Sequence, residues 1–266
     1  MTDEFCLTIK LIIRYKTYQF IETDFQSLKT LYQKEENMKY DIGIIGGAGP
    51  IAGRLFFDYI IAWYQKELGA WQDQDFPSIV MVSYPFSDML SVGHDKNSIK
   101  DELKQVVEAI PSKYFLIACN TLHCFADGEL PANRWLHLMK LTAEALSKTE
   151  SKQNPLVLCT TTSRNHRLHQ EYFDCVYPNI ETQPEIDYII EKVLKGKHGV
   201  SDSQQLYKII QEETDPSQDV VLGCTELSLL VAEYPFARKL VDPAILAAEK
   251  VCLLLNPKHL LKSIKK

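Results

Sequence analysis

Apolar positions along this chain fall into short unbroken runs, separated by longer stretches in which apolar residues recur every three or four positions. Ile42-Gly43-Ile44-Ile45 is such a run and ends in Gly46-Gly47-Ala48-Gly49-Pro50. Over 51–67 the pattern changes to helical spacing, with Leu55, Phe56, Tyr59, Ile60 and Trp63 on one face. Residues 78–82 read as a second strand, 101–110 as a helix, and Tyr114-Phe115-Leu116-Ile117-Ala118 as a third strand. A helical pattern covers 135–147. A second series then opens at Leu156-Val157-Leu158-Cys159, followed by Thr160-Thr161-Thr162-Ser163. Helices are expected at 183–194, closed by Gly196, and at 203–213. The run Asp219-Val220-Val221-Leu222-Gly223, then Leu240-Val241-Asp242-Pro243 and a helix to Leu255, complete the pattern. Short apolar runs without polar alternation are strands covered on both faces, as in parallel sheets. Their alternation with amphipathic helices is the rhythm of an α/β protein.

The two series open 114 residues apart, at Ile42 and Leu156. Each has a small-residue loop after its first strand and a cysteine-bearing loop after a later one. This predicts a duplicated architecture: two pseudo-symmetric three-layer α/β domains with parallel sheets and an active site in the cleft between them. The expected divisions are an N-terminal extension over 1–37, a first α/β domain over 38–145, a second over 146–238, and a C-terminal segment, 239–266, that returns to the first domain. The extension is aromatic and lysine-rich and lacks the strand–turn–helix rhythm. Met38 opens directly into the first strand. It reads either as the true start of translation or as the end of a genuine extension that packs as a helix and a strand.

Composition narrows the function. The chain has 266 residues, 45% hydrophobic, with a formal net charge of −6. That length supports one large or two ordinary α/β domains. The charge speaks against nucleic acid or an anionic membrane as partner. No apolar run approaches the ~20 residues of a membrane span. The seven cysteines are odd in number and lack disulfide-framework spacing, which fits a reducing, cytoplasmic setting.

Two of those cysteines share a context 105 residues apart. Cys119 ends an apolar run and precedes Asn120-Thr121; Cys224 ends another and precedes Thr225-Glu226. Open α/β proteins place their chemistry at the carboxyl ends of parallel strands. Amides at a helix start favour thiolate over thiol and lower its pKa, and they also bind carboxylates. Two such loops facing each other offer an acid and a base of one chemical type, suited to moving a proton between the two faces of a carbon. Cys6, Cys159, Cys175 and Cys252 lack this context and read as structural; Cys124 reads as a small core residue. His123 has two readings, a histidine bonded to backbone or a group that tunes Cys119. The cluster Cys119, His123, Cys124 has no second ligand pair of matching spacing, so no metal is expected. Gly47-Ala48-Gly49-Pro50-Ile51-Ala52 fits a dinucleotide fingerprint, yet strand two ends in Ser83-Tyr84-Pro85-Phe86 without a ribose-binding acid. A tight loop whose backbone approaches a small ligand is the better reading.

These residues carry a family resemblance. From about Met38 to Leu255 the chain resembles the aspartate/glutamate racemase superfamily, of the aspartate racemase type. The matching pieces, in order, are Gly43–Pro50, Ala118–His123, Thr160–Thr162 and Gly223–Leu227. Glutamate racemases of the cell-wall type carry histidine where this chain has Glu226. The resemblance implies an isomerase, a homodimeric amino-acid racemase that needs neither pyridoxal phosphate nor metal. Its partner is a small-molecule amino acid. Cys119 and Cys224 would act as opposed acid and base, with Ala48, Asn120, Thr121, Thr160, Thr162, Thr225 and Glu226 binding the substrate. Each sulfur would approach the α-carbon to about 3–3.5 Å, which sets the sulfurs roughly 7 Å apart.

The chain also departs from the family. Aspartate-specific members place an arginine in the loop after strand two and a lysine near the start of the helix in the second half. Neither Ser83–His94 nor Glu181–Asp187 supplies one, and Ala48 replaces a more usual methionine. Arg164, His166 and Arg167 stand as alternative cations or as solvated loop residues. Two other functions therefore stay open: a maleate-type diacid isomerase of the same superfamily, and a non-catalytic amino-acid-binding protein.

Overall fold

Alternation within the strands decides how the layers stack. In a computed structural model, which describes residues 38–87, 96–126 and 130–259, β1 (Tyr40–Gly46) pairs in parallel with β2 (Ile79–Ser83) on one side and β3 (Ser112–Ile117) on the other. A second parallel sheet pairs β4 (Leu156–Leu158) with β5 (Val220–Leu222). Single bridges widen both sheets: Trp135 lies beside Phe115, Val176 beside Leu156, and Val241 beside Val221. Successive side chains on a strand point to opposite faces. Ile42, Ile44 and Leu116 of the first sheet, with Leu156, Leu158, Val220 and Leu222 of the second, therefore enter one shared apolar cluster. Ile45, Phe115 and Ile117 face a second cluster, and Val157 and Val221 a third. The inner strands are covered on both faces, as their unbroken apolar runs require, while β2 at the edge of the first sheet stays partly exposed, with Met81 at 51%.

Helices supply the cover. The first half contributes α1 (Ala52–Leu68), α2 (Lys96–Ala109) and α3 (Leu138–Leu146). The second contributes α4 (Thr161–Asn165), α5 (Gln183–Leu194), α6 (Val200–Glu213), α7 (Thr225–Glu233) and α8 (Pro243–Leu255). Helix α1 buries Leu55, Phe56 and Ile60, the stripe read from its periodicity, and stops at Gly69 in the left-handed conformation, φ 67°. Truncating Phe56, which is fully buried, would cost about 3–5 kcal/mol by the behaviour of such core aromatics.

Helix α8 packs against α1 and α3 of the first half. Its start is fixed chemically. Pro243 has the backbone angle of a first helical turn, and the Asp242 side chain accepts from the Ala244 N–H at 2.8 Å and from the Ser228 hydroxyl at 2.9 Å. The residues from Lys39 onward make one compact unit by their contacts, because α1 and α8 belong to the cluster that both sheets share. Among the described residues no helix is long and apolar enough to cross a membrane. The extension over 1–37 lies outside the described residues, as do Asp88 and His94 of the loop after β2.

Candidate active site

Each candidate thiol stands just beyond the carboxyl end of a parallel strand, one on each sheet. Ala118 extends the β3 ladder, its N–H donating to the Ile45 carbonyl at 2.8 Å, and Cys119 follows. Cys224 follows β5 in an extended conformation and precedes the first turn of α7. Both cysteines are buried, and the described cysteines are all free thiols. Cys119 and Cys224 line one cavity of about 170 Å³ together with Ala48, Asn120, Thr121, Thr160, Thr225 and Glu226. Gly49, Phe86, Ser87, Ile190 and Leu194 complete its wall. Ile190 and Leu194 are not singled out in the sequence, since a helix face over a core and one over a cavity share one pattern.

Hydroxyls join the two halves around this cavity. The Thr121 Oγ1 lies 3.3 Å from Thr160 Oγ1 and 3.0 Å from Ser163 Oγ, and the Thr160 hydroxyl reaches Ser163 Oγ at 3.2 Å. Thr160 caps α4 by accepting from the Ser163 N–H at 3.1 Å. The Thr225 hydroxyl also lies 3.5 Å from the Ala118 carbonyl oxygen, a second approach between halves. Ser163 does not itself line the cavity but holds Thr121 and Thr160, which do; the signal available for it in the sequence was its place three residues after a threonine cap. Thr162 departs from expectation. It does not line the cavity; the single turn of α4 turns Ser163 toward Thr121 and Thr160 instead, and the Thr162 carbonyl is the partner of His166 Nδ1 at 2.9 Å.

The candidate cations also lie elsewhere. Arg164 donates to Gln183 Oε1 at 3.2 Å and sits over the Tyr177 ring; Arg167 is exposed with φ 53°. Neither they nor His166 lines the cavity. His123 takes the backbone-bonded reading. Its Nε2 accepts from the Leu138 N–H at 3.4 Å, which leaves Nδ1 to donate to the Cys119 carbonyl at 2.9 Å. Burial and the neighbouring His137 pull its pKa down to about 3, so it is neutral and holds the Cys119 loop in place. Among the described residues no group of three or more His, Cys, Asp or Glu is placed to hold a metal ion.

The glycine loop closes over a carboxylate. Gly49 has φ +82°, and a Cβ there would lie 2.0 Å from Glu226 Oε1; a Cβ on Gly47, φ +110°, would lie 1.8 Å from the Tyr84 carbonyl oxygen. The loop therefore needs glycine at both positions, and the close approach is to Glu226. The Cys224 thiol donates to Glu226 Oε2 at 3.0 Å, and the Thr225 hydroxyl to the same oxygen at 3.3 Å.

This arrangement can be set beside known proteins. No protein-family model matches the chain. It is 24% identical over 219 residues to the broad specificity amino-acid racemase RacX of Bacillus subtilis, a match covering 78% of this chain and 95% of that one. In structure it is similar to an aspartate racemase homologue from Pyrococcus horikoshii, with TM-score 0.62, 22% identity, and 81% and 99% of the two chains covered. It is also similar to the Picrophilus torridus aspartate racemase, with TM-score 0.60, 24% identity, and 82% and 94% covered. The chain has the fold of these racemases.

Within this racemase fold the thiols are not the lowered ones that helix-start amides alone suggest. The backbone N–H groups of Thr121 and Leu122 do favour the Cys119 thiolate, but burial and the Glu226 charge outweigh them and push this thiol up to about 12. The segment after Cys119 is a short 3₁₀ turn, Thr121–Phe125, with little dipole to add. Cys224 is also raised well above the usual thiol range, first by burial and then by Glu226. Glu226 is itself raised by burial, against hydrogen bonds from Cys224 and Thr225. In this cavity both sulfurs are thus thiols, and Glu226 contributes to the rise of each.

Proposed function

We propose that the chain is a cofactor-independent amino-acid racemase in which Cys119 and Cys224 work as opposed acid and base at the substrate α-carbon. The observation that carries this reading is that two thiols, from equivalent strand ends of separate sheets, line one cavity. In each turnover one sulfur, as thiolate, takes the α-hydrogen, and the facing thiol returns a proton to the other side; the reverse reaction exchanges the roles. Backbone amides at Thr121 and Leu122, and at Glu226, oppose the burial cost of the thiolate. Amides of the same loops would stabilise the enolate-like carboxylate as charge develops. Water exclusion from a cavity with a Phe86, Ile190 and Leu194 wall strengthens both effects. Homodimeric assembly in the cytoplasm belongs to the same proposal, on the family resemblance.

The deciding experiment follows the α-proton signal by NMR in D₂O, with reduced protein and a panel of L- and D-amino acids. Loss of the signal with appearance of the mirror image supports racemisation. Cys119→Ala or Cys224→Ala should each lower the rate by about 10²–10⁴-fold, as for loss of a general acid–base group. Full activity in either variant would end the two-thiol reading.

A further inference from the structure

We propose that Glu226 is the counter-ion for the substrate's ammonium group, and that the site takes amino acids with small uncharged side chains in preference to aspartate and glutamate. This inference rests on the racemase reading and names its substrate class.

The first observation is the isolation of the Glu226 charge. Its carboxylate is buried, lines the cavity, and accepts from two neutral donors, the Cys224 thiol and the Thr225 hydroxyl. No lysine or arginine is among the described residues that line the cavity. Cations close in sequence to lining residues are engaged elsewhere: Arg54 with Asp58 and Glu233, Lys113 with Asp41, Arg164 with Gln183 and Tyr177, Lys192 with Asp202. A buried carboxylate without a cation is costly. An amino-acid zwitterion brings that cation with it.

The second observation is the rest of the wall. Phe86, Ile190 and Leu194 present apolar surface, and a second carboxylate on the ligand would meet it with no compensating charge while sharing the cavity with Glu226. Asn120 is 2% exposed, and neither its Oδ1 nor its Nδ2 has a hydrogen-bond partner among the described residues. A buried amide in that state is ready to bond a ligand; it offers one donor and one acceptor group and no charge. Size agrees, since a cavity of about 150 Å³ holds benzene and this one has about 170 Å³.

The third observation links recognition to chemistry. Glu226 is a cause of the raised pKa of both Cys119 and Cys224. An ammonium seated against it offsets that charge, so the bound zwitterion itself favours the thiolate that will attack it. A ligand without the cation leaves both thiols protonated.

The test uses calorimetric titration of the reduced full chain with isosteric pairs, asparagine against aspartate and glutamine against glutamate. Alanine, valine and N-acetyl-asparagine complete the set, and α-proton exchange is measured on the same ligands. The expected result is that each amide binds at least tenfold more tightly than its acid and that N-acetylation removes binding. Glu226→Gln should bring each pair to within about threefold. An acid that binds as tightly as its amide, or an acetylated ligand that binds as tightly as the free amine, overturns the inference on the unmodified protein. Exchange separates the two levels. Amides that bind without exchange keep the charge rule and end the racemase reading. Aspartate or glutamate that binds and exchanges does the reverse, and no binding across the set overturns both.

Discussion

Replacing Gly49 by alanine probes the contact on which the site is built. The backbone there has φ +82°, which costs an L-residue about 1–2 kcal/mol. The new Cβ would also stand 2.0 Å from Glu226 Oε1 and 3.1 Å from its Cδ, so the carboxylate must move away. Moving it breaks the 3.0 Å bond from the Cys224 thiol and the 3.3 Å bond from Thr225. Hydrogen bonds to a charged group contribute about 1.5–3 kcal/mol each, and the longer one less, so Gly49→Ala should cost about 3–5 kcal/mol in all. Gly196→Ala is the internal control. It has φ +63° with nothing within 4 Å of the added Cβ, and should cost only the backbone part, about 1–2 kcal/mol. Urea unfolding of the two variants gives the difference, and α-proton exchange of the folded Gly49→Ala protein should fall at least about 10²-fold as the partner of one thiol is displaced. Equal unfolding midpoints for the two variants, with exchange unchanged in Gly49→Ala, would refute the account of the glycine loop.

Three further outcomes are expected. Because the Cys119 thiol is pushed up to about 12, its alkylation by iodoacetamide should rise about tenfold per pH unit from pH 7 to 9.5, and faster modification should follow Glu226→Gln; a plateau below pH 8 contradicts this. Burial raises Asp242 from 3.8 to about 6, so the folded chain holds that proton more tightly than the unfolded one. The associated stability is present below pH 4 and lost as pH rises through 6, by about 3 kcal/mol. Asp242→Asn keeps the helix cap and removes this loss, so unfolding curves at pH 4 and pH 7 should lie closer together for the variant than for the unmodified chain, and parallel pH dependence of the two proteins would be the failing result. Ser163→Ala opens the hydroxyl triangle with Thr121 and Thr160 and should destabilise by about 1–3 kcal/mol, read by thermal unfolding; an unchanged midpoint would remove Ser163 from the tie between halves.

The apolar runs and the helical stripes were legible because burial on both faces leaves no polar alternation in a strand and one apolar stripe on a helix. Helix α5 begins and ends where its pattern placed it, while the segment after Cys119, read as a helix, makes only a 3₁₀ turn. The run of three threonines was visible, but which hydroxyl turns inward was not. Thr160 and Ser163 meet Thr121 because a single helical turn starts at Thr160, and the same turn takes Thr162 off the cavity. Ile190 and Leu194 gave no sign of a cavity, since their pattern is that of any buried helix face.

From sequence alone came the α/β class and the two strand-end thiols with their glycine and threonine loops, for these depend on local order: apolar spacing, turn residues, and a thiol at a strand end. Tertiary structure alone decided the charge of the site. Glu226 follows Cys224 by two residues, and the sequence offered it as a substrate-binding residue only through the family resemblance, with no sign of its electrostatic surroundings. Folding brings Gly49 over it, buries it beside both thiols and leaves it without a cation among the described residues. The ionisation of a group is set by everything that surrounds it in space, and the groups around Glu226 come from distant parts of the chain.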